Sequence, residues 1–329
     1  MTTLYLTEQG VTVTKTDGRL VIRKNGTMLQ DLPALHIEQI VVFGNVHFTM
    51  PAVKFILEQG IDVAYLSSHG TYRGRLQHAF AKDATLRQTQ YQKATDPAFC
   101  LAMAKSLIGG KVHNALAFIQ RHRTRDAEVK TSIGMLQSAR HHLTTAATLD
   151  AIRGHEGAAA AAYFRALRKL LKPDLGFRSR VHHPPTDPVN ALLSLGYALL
   201  YNQTFAAINV VGLDPYLGFF HQTRHGHATL ASDLMEEWRT VLVDPLVLSM
   251  LNRGELKAAD FRRRGEHVRL HPEALSAFLK AYDTRVHSQV LYAPTQQQHS
   301  YLRCIELQVR QVAQVLTNQQ AEYLPYQSR

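Results

Sequence analysis

The chain has 329 residues, of which 45% are hydrophobic and 19% are charged, a composition that is typical of a folded globular protein and excludes a disordered one. Its 37 Lys and Arg residues outnumber 26 Asp and Glu residues, for a formal net charge of +11. Such an excess favours a polyanionic partner such as nucleic acid. Two distant cysteines, Cys100 and Cys304, argue against a disulfide framework and a cysteine-based zinc site. No segment approaches ~18 uninterrupted apolar residues and the N-terminus lacks a signal-peptide pattern, so we expect a cytoplasmic protein without a membrane partner.

The first ~80 residues are predicted to be rich in β-strands, because short runs of strand-forming residues alternate with turn signals such as Asp17-Gly18 and Asn25-Gly26. The predicted strands are 4–6, 11–13, 20–22, 36–43 and 61–66. A short amphipathic helix is expected between the last two strands, where Pro51 can open it and Gly60 can close it. The apolar runs 40–43 and 63–66 contain no charge, and we expect a two-fold contact between copies of the chain to cover them.

From about residue 96 onward, apolar residues recur at helical spacing. The predicted helices cover 97–123, 128–149, 155–171, 188–209, 231–250, 271–289 and 298–318. The polar stretch before the first of these helices is interpreted as a linker. The sequence therefore predicts an α+β protein, with a small β-rich N-terminal domain (1–82), a linker (83–96) and a larger all-helical domain (97–329).

The basic charge is concentrated in one part of the chain. Residues 101–190 contain 14 Lys and Arg against 6 Asp and Glu, a local net charge of +8. Solvated helix faces are the ordinary explanation of a charge excess, but contact with a phosphate backbone explains a one-sided cluster better. The candidates for DNA contact in this region are Arg165, Arg168, Lys169, Arg178 and Arg180.

Glu156 stands in the segment GHEG (154–157), directly before an alanine-rich run. If a helix opens there, the carboxylate has a structural explanation, because a negative charge in a first turn complements the helix dipole. The small residues that follow would also let another element approach closely. A carboxylate buried in that way needs a cation or another partner.

A second acidic cluster lies in the predicted helix 231–250. Asp233 and Glu236 are three residues apart, and they therefore share a helix face. One interpretation is a face that binds a divalent metal together with an imidazole, a ligand set that suits Mg²⁺ or Mn²⁺. The alternative is a solvated acidic face, to which we assign Glu237.

His221, His225 and His227 are close enough in sequence to raise a zinc-site hypothesis, although the chain lacks the other ligands expected nearby. Spacing alone does not join Glu156 to His221 or Glu236, which are 65 and 80 residues further along the chain. The residues by themselves indicate a basic α+β protein with possible metal dependence and possible action on nucleic acid.

The chain nevertheless resembles a known family along almost its whole length, the CRISPR-associated spacer-acquisition integrases (Cas one). The segments that carry the resemblance are GHEG (154–157) followed by Tyr163-Phe164, DPVNALL (187–193), GLDP (212–215), GFFH (218–221), Arg224 and DLMEE (233–237). Their order and spacing after a β-rich head make the match more specific than any single motif.

The resemblance implies a role for each matching residue. Glu156, His221 and Glu236 correspond to the three ligands of a catalytic Mg²⁺ or Mn²⁺ ion. Asp233 corresponds to a nearby acid that supports the site, and Arg224 belongs to the stretch that lines it. The chain departs from the family's pattern at His227 and Ala228, where a basic residue and a proline are often found.

The implied activity is that of a metal-dependent DNA endonuclease and integrase of CRISPR adaptation. In this reaction the 3′-hydroxyl of a spacer DNA attacks a phosphodiester of the CRISPR repeat. The implied partners are double-stranded DNA, a second copy of the chain bound through the β-rich domain, and the small CRISPR protein Cas two. A non-catalytic basic nucleic-acid-binding protein is the alternative, and a zinc hydrolase is a weaker one.

Overall fold

The computed structural model describes residues 2–68, 70, 72–76, 84–122, 125–181 and 184–328. The chain divides into two compact units. One comprises Met1–Phe80 with Arg269–Asp283, and the other comprises Ala81–Val268 with Thr284–Arg329. The first unit therefore contains a segment from the C-terminal part of the chain, whereas the predicted N-terminal domain ended at residue 82. The predicted boundary at residue 82 lies outside the described residues.

The first unit contains two four-stranded sheets. Its elements in chain order are β1 (Thr2–Leu6), β2 (Val11–Thr16), β3 (Arg19–Lys24), β4 (Thr27–Pro33), β5 (Ile37–Phe43), β6 (Val46–Phe48), α1 (Met50–Glu58), β7 (Asp62–Leu66) and β8 (Tyr72–Leu76). One sheet has the order β1-β5-β7-β8, with β8 antiparallel to its neighbour and the other pairs parallel. The other has the order β4-β3-β2-β6.

The predicted β-rich N-terminal region is confirmed, and each predicted strand overlaps an observed one. β4, β6 and β8 were not predicted, since β4 is largely exposed, β6 has three residues and β8 contains Gly74. The apolar runs 40–43 and 63–66 lie in β5 and β7, whose residues there are almost entirely buried within this unit's sheets. They do not need a second copy to cover them, so that expectation was wrong.

Most of the predicted linker is a helix, α2 (Ala84–Ala94). The sequence did not predict this helix, because α2 is polar in composition and packs through few side chains, which leaves no apolar stripe. Gln90 is fully buried, accepts a hydrogen bond from the Asp214 backbone N–H (2.8 Å) and donates to the carbonyls of Asp214 (2.8 Å) and Leu217 (2.7 Å). α2 thereby holds the loop that leads to His221.

The remainder of the chain is mostly helical. Its elements are α3 (Pro97–Arg121), α4 (Ala127–Thr145), α5 (Leu149–Leu170), α6 (Pro188–Val211), α7 (Thr229–Trp238), α8 (Asp244–Asn252), β9 (Phe261–Arg264), β10 (His267–Leu270), α9 (Pro272–His287), β11 (Gln289–Tyr292), β12 (Gln297–Ser300) and α10 (Tyr301–Leu316). β9 pairs with β10, and β11 pairs with β12. These two hairpins correct the all-helical description, and their short, polar strands carry little of the alternation that identifies a strand.

The helix starts follow from their capping residues. Asp96, Asp126, Thr148 and Asp187 accept hydrogen bonds from backbone N–H groups in the first turns of α3, α4, α5 and α6. Because α5 begins at Leu149, Glu156 lies in its third turn. The helix-dipole explanation of Glu156 is therefore wrong, and its charge needs another partner.

α6 is the one helix among the described residues that is long and apolar enough to cross a membrane. In its most apolar window, however, 72% of the residues are buried inside the protein. This is the burial expected of a central core helix, which is apolar on all sides.

The helix predicted over 231–250 is interrupted by a π-helical turn, Arg239–Val243, between α7 and α8. Pro245 lacks an N–H group and so cannot donate to the Val241 carbonyl one turn earlier. The Arg285 guanidinium donates to that carbonyl instead (3.0 Å). Such turns are frequent at functional sites, and this one begins at Arg239, which belongs to the site described next.

Candidate active site

Glu156 on α5 and Glu236 on α7 meet at the ammonium group of Lys111 on α3. Lys111 Nζ contacts Glu156 Oε1 and lies 2.6 Å from Glu236 Oε2. The side chain of Glu236 is 3% exposed and that of Lys111 is 15% exposed. The fold thus brings together two carboxylates that are 80 residues apart, and it neutralises them with a cation that the sequence analysis missed.

Glu236 is ionised in this environment. Burial alone would raise its pKa, but the charges of Arg239, Lys111 and His221 outweigh burial and lower the pKa to about 2. Arg239 Nη2 lies 3.0 Å from Glu236 Oε1. Oε2 is buried and lies 2.6 Å from the Lys111 ammonium group, whose charge and hydrogen bond help to lower the pKa of Glu236. This oxygen is therefore an anionic atom that faces a cation, which in this structure is the ammonium group of Lys111.

His221 is held in place by Asp233, which is fully buried. His221 Nδ1 is 2.6 Å from Asp233 Oδ1, and the same carboxylate accepts hydrogen bonds from the backbone N–H groups of Phe219, Phe220 and His221 (2.6–3.0 Å). Burial lowers the pKa of His221, but the hydrogen bond and charge of Asp233, together with the charge of Glu236, raise it overall. Asp233 fixes the ring through Nδ1 and leaves Nε2 available, as carboxylates behind metal-binding imidazoles do.

The loop before His221 depends on a glycine. A Cβ at Gly218 would lie 2.4 Å from Asp233 Oδ2 and 2.8 Å from the backbone carbon of Thr229. The Gly218 N–H donates to Thr229 Oγ1 (2.8 Å). Only glycine allows the loop to approach α7 this closely and to present three N–H groups to Asp233.

Arg239 is supported from behind by an aromatic and acidic layer. Its guanidinium lies 4.8 Å from the centre of the Tyr197 ring. The hydroxyls of Tyr163 and Tyr197 each donate to the buried carboxylate of Asp244 (2.6 Å). Burial raises the pKa of Asp244 to about 6, against the lowering effect of these hydrogen bonds and of Arg239. A cavity of about 120 Å³ lies between this layer and the Lys111–Glu156 pair.

The donor set suits a hard divalent cation, because carboxylate oxygens and one imidazole are ligands of Mg²⁺ and Mn²⁺. Within the described residues, however, no three His, Cys, Asp or Glu side chains are close enough together to hold a metal ion. Of the predicted triad, Glu156 and Glu236 are paired with Lys111, and His221 is held by Asp233 and interacts electrostatically with Glu236, so the three side chains are not closed on one point. The same finding gives no support to a zinc site at His221, His225 and His227, which are among the described residues.

Glu237 is fully buried, so its assignment to a solvated face was wrong. Its carboxylate accepts hydrogen bonds from the Tyr323 hydroxyl (2.7 Å) and the Tyr326 N–H (2.8 Å), with the Gln308 amide at 3.2 Å. The backbone carbonyl of Glu237 accepts from Asn114 (2.8 Å). Glu237 therefore ties the C-terminal segment 323–328 to α7, directly behind the site.

Comparison with known proteins decides the family. The model of the family described as CRISPR associated protein Cas1 matches residues 4–284. The chain belongs to the Cas1 family. The CRISPR-associated endonuclease Cas1 3 of Thermus thermophilus is 34% identical over 328 residues, covering 99% of this chain and 97% of the relative.

Two solved structures have the same fold. A Cas6-RT-Cas1–Cas2 complex superimposes with a TM-score of 0.86 at 25% identity, covering 98% of this chain and 36% of that chain. A casposase bound to integration product superimposes with a TM-score of 0.86 at 23% identity, covering 100% and 95%.

The basic residues that were predicted to contact DNA in this Cas1 chain differ in their surroundings. Arg168 and Lys169 are paired with Glu128 on α4, at 3.3 and 2.9 Å. Arg165 is exposed and contacts the sulfur of Met135 (3.7 Å). A polyanion would therefore compete with Glu128 for the first two residues but not for Arg165.

Arg180 is largely sequestered, since its guanidinium donates to the side chains of Asn190 (2.9 Å) and Ser194 (3.0 Å). It lines the cavity beside the site and has a structural role there. Arg178 and Arg224 are exposed, so their charges face solvent.

Two site residues could not be found by motif matching. Lys111 follows Gly109 and Gly110, which lie within α3 and belong to none of the motifs singled out above. Gly110 allows the tail to approach, because a Cβ there would lie 2.4 Å from Pro325 Cβ. Arg239 lies two residues after the acidic motif 233–237, and the need of a buried Glu236 for a cation one turn away was the signal that could have identified it.

Proposed function

We propose that this Cas1-family chain is a metal-dependent DNA endonuclease and integrase of CRISPR adaptation, which inserts spacer DNA by attack of a 3′-hydroxyl on a repeat phosphodiester. The observation that carries the proposal is the meeting of Glu156 and Glu236 around one cationic position, next to an imidazole that Asp233 orients. Such a cluster costs stability to build, because its charges are largely removed from water. A protein that only bound DNA through surface charges would have no use for it.

Glu156, His221 and Glu236 would hold Mg²⁺ or Mn²⁺, which when bound supplies Lewis-acid polarisation of the phosphodiester and stabilises the leaving oxygen. The chain's own residues prepare the site for this. Asp233 fixes the imidazole orientation, and Arg239 keeps Glu236 ionised and stationary. The low pKa of Glu236 means that it needs no deprotonation before it binds a cation at neutral pH.

The proposed substrate and partners are based on the net charge of this chain and on the similar solved structures. The local excess of +8 over residues 101–190 supports binding of double-stranded DNA, with Arg165, Arg178 and Arg224 as the exposed contacts and with Arg168 and Lys169 released from Glu128. The similar structures include an integration product and a complex with Cas2. We therefore propose protospacer and repeat DNA as substrates, Cas2 as the small partner and a homodimer as the working form.

A half-site integration assay tests the proposal, using this protein, its Cas2 partner, a spacer duplex, a supercoiled repeat plasmid and Mg²⁺ or Mn²⁺. We expect Glu156→Ala and His221→Ala to lower strand transfer and cleavage by about 10³-fold or more, since loss of a metal ligand removes several kcal/mol of transition-state stabilisation. DNA affinity should change by less than about threefold, because phosphate contacts dominate it.

Glu255→Ala is the matched control, because Glu255 is an exposed carboxylate of the same unit. It should leave both activities unchanged. Normal strand transfer by a folded Glu156→Ala protein would contradict metal catalysis and favour the non-catalytic alternative. Activity that requires zinc would instead support a zinc hydrolase.

A further inference from the structure

Lys111 occupies the place between the two carboxylates that a divalent cation would use. Its ammonium group contacts Glu156 Oε1 and is 2.6 Å from Glu236 Oε2. It comes from the middle of α3, whereas the carboxylates come from α5 and α7. The three helices thus aim one cation and two anions at the same point.

The charges at this point balance without any metal. Glu156 and Glu236 supply two negative charges, and Lys111 and Arg239 supply two positive ones. A divalent ion added beside Lys111 would give the group an excess of two positive charges in a poorly solvated place, where like charges repel strongly. Arg239 contacts Oε1 of Glu236, not the oxygen that faces Lys111, so it is Lys111 whose position conflicts with the ion.

We propose that Lys111 is an internal cation that competes with the catalytic metal: it neutralises Glu156 and Glu236 when the metal is absent and must leave them before the metal can bind. This inference rests on the proposed function, since it takes Glu156 and Glu236 as metal ligands. It accounts for Glu156 and Glu236 both being paired with Lys111 in this structure.

A cavity next to Lys111 could accept its side chain once the side chain leaves the carboxylates. The cavity of about 120 Å³ is lined by Lys111 itself, by the small residues Ala159 and Ala160, and by Asp244. A lysine side chain is flexible and keeps its charge as it moves. Its release into the cavity would keep a positive charge near the reacting phosphate without occupying the ligand oxygens.

The inference is tested by calorimetric titration of Mn²⁺ into the full-length protein without DNA, alongside melting temperatures with and without Mn²⁺. Lys111→Met removes the charge but keeps the unbranched stem. We expect its Mn²⁺ dissociation constant to be lower than that of the wild type by at least about tenfold, or about 1.4 kcal/mol. The melting temperature of the metal-free variant should fall by about 5 °C, because the carboxylates lose their cation, and saturating Mn²⁺ should restore it.

Lys105→Met is the matched control. Lys105 lies on the same helix, but its ammonium group donates to the Thr144 carbonyl, and the variant should bind Mn²⁺ like the wild type. If Lys111→Met binds Mn²⁺ equally well or more weakly while the wild type binds it, Lys111 is a supporting residue and the inference is wrong. If neither the wild type nor Lys111→Met binds Mn²⁺, the proposed function itself fails.

Discussion

Glu236 and Glu237 are neighbours in sequence, but the fold gives their carboxylates opposite properties. Arg239 and Lys111 surround Glu236 with positive charge and hold its pKa near 2 despite burial. Glu237 has only neutral donors, so burial raises its pKa to about 7 although the hydrogen bonds from Tyr323 and Gln308 lower it. The sequence predicted that acids cluster here, but it could not assign their roles, because Gln308 is 71 residues from Glu237 and Lys111 is 125 residues from Glu236.

The raised pKa of Glu237 predicts a pH dependence of stability. Between its ordinary value of 4.5 and about 7, the unfolded chain has released this proton while the folded chain still holds it. Stability therefore falls as the pH rises through this window, by about 3 kcal/mol at about 1.4 kcal/mol per unit. Glu237→Gln, which cannot ionise, should lose about 3 kcal/mol less than the wild type between pH 5 and 7.5 in urea unfolding.

Asp244 titrates in both proteins, so its contribution cancels in this comparison. Glu255→Gln, at an exposed carboxylate, should follow the wild-type pH profile. Parallel profiles for wild type and Glu237→Gln would mean that the Glu237 carboxyl is not perturbed in the way the structure indicates.

Secondary-structure elements were predicted well where they bury an apolar face and poorly where they do not. β2, β3 and β5 and the long helices α3 and α6 have strong apolar patterns and appear close to their predicted bounds. α2 was interpreted as a linker because its composition is polar and it buries just two residues, Leu86 and Gln90. The break at Arg239–Val243 depends on Pro245 and on an arginine 40 residues further along the chain, so local sequence could not define it.

The packing of α3 against the C-terminal segment can be tested at two adjacent glycines. Gly110→Ala places a Cβ 2.4 Å from Pro325 Cβ, whereas a Cβ at Gly109 meets nothing within 4 Å. We expect Gly110→Ala to lower the free energy of unfolding by about 1–3 kcal/mol through overpacking. Gly109→Ala should raise it by up to about 1 kcal/mol, since alanine favours a helix interior. Chemical denaturation measures both, and equal effects would show that the tail does not pack on α3 in solution.

At the scale of the whole molecule, the proposed homodimer contact is expected on a different surface from the one that the sequence suggested. The apolar runs in β5 and β7 are internal, but β4 is an edge strand of its sheet. Met28 and Leu29 on β4 are 54% and 47% exposed, and Leu35, just beyond the strand, is 83% exposed. An apolar edge strand is a surface on which two copies can pair, and a two-fold contact would place it against itself.

This surface predicts how the proposed dimer can be disrupted. Sedimentation of the wild type at micromolar concentration should report about twice the 37.0 kDa chain mass. Met28→Lys with Leu35→Lys should shift the mass toward one chain, because lysine on an edge strand opposes pairing by charge and by its cost of desolvation. Val210→Lys is the control, since Val210 is 61% exposed on α6 of the other unit.

The double variant keeps the candidate active site, so it should still cut DNA while joining fewer spacers at both ends. A double variant that remains dimeric would place the contact elsewhere, and a monomeric wild type that joins both ends would show that the working form needs no second copy.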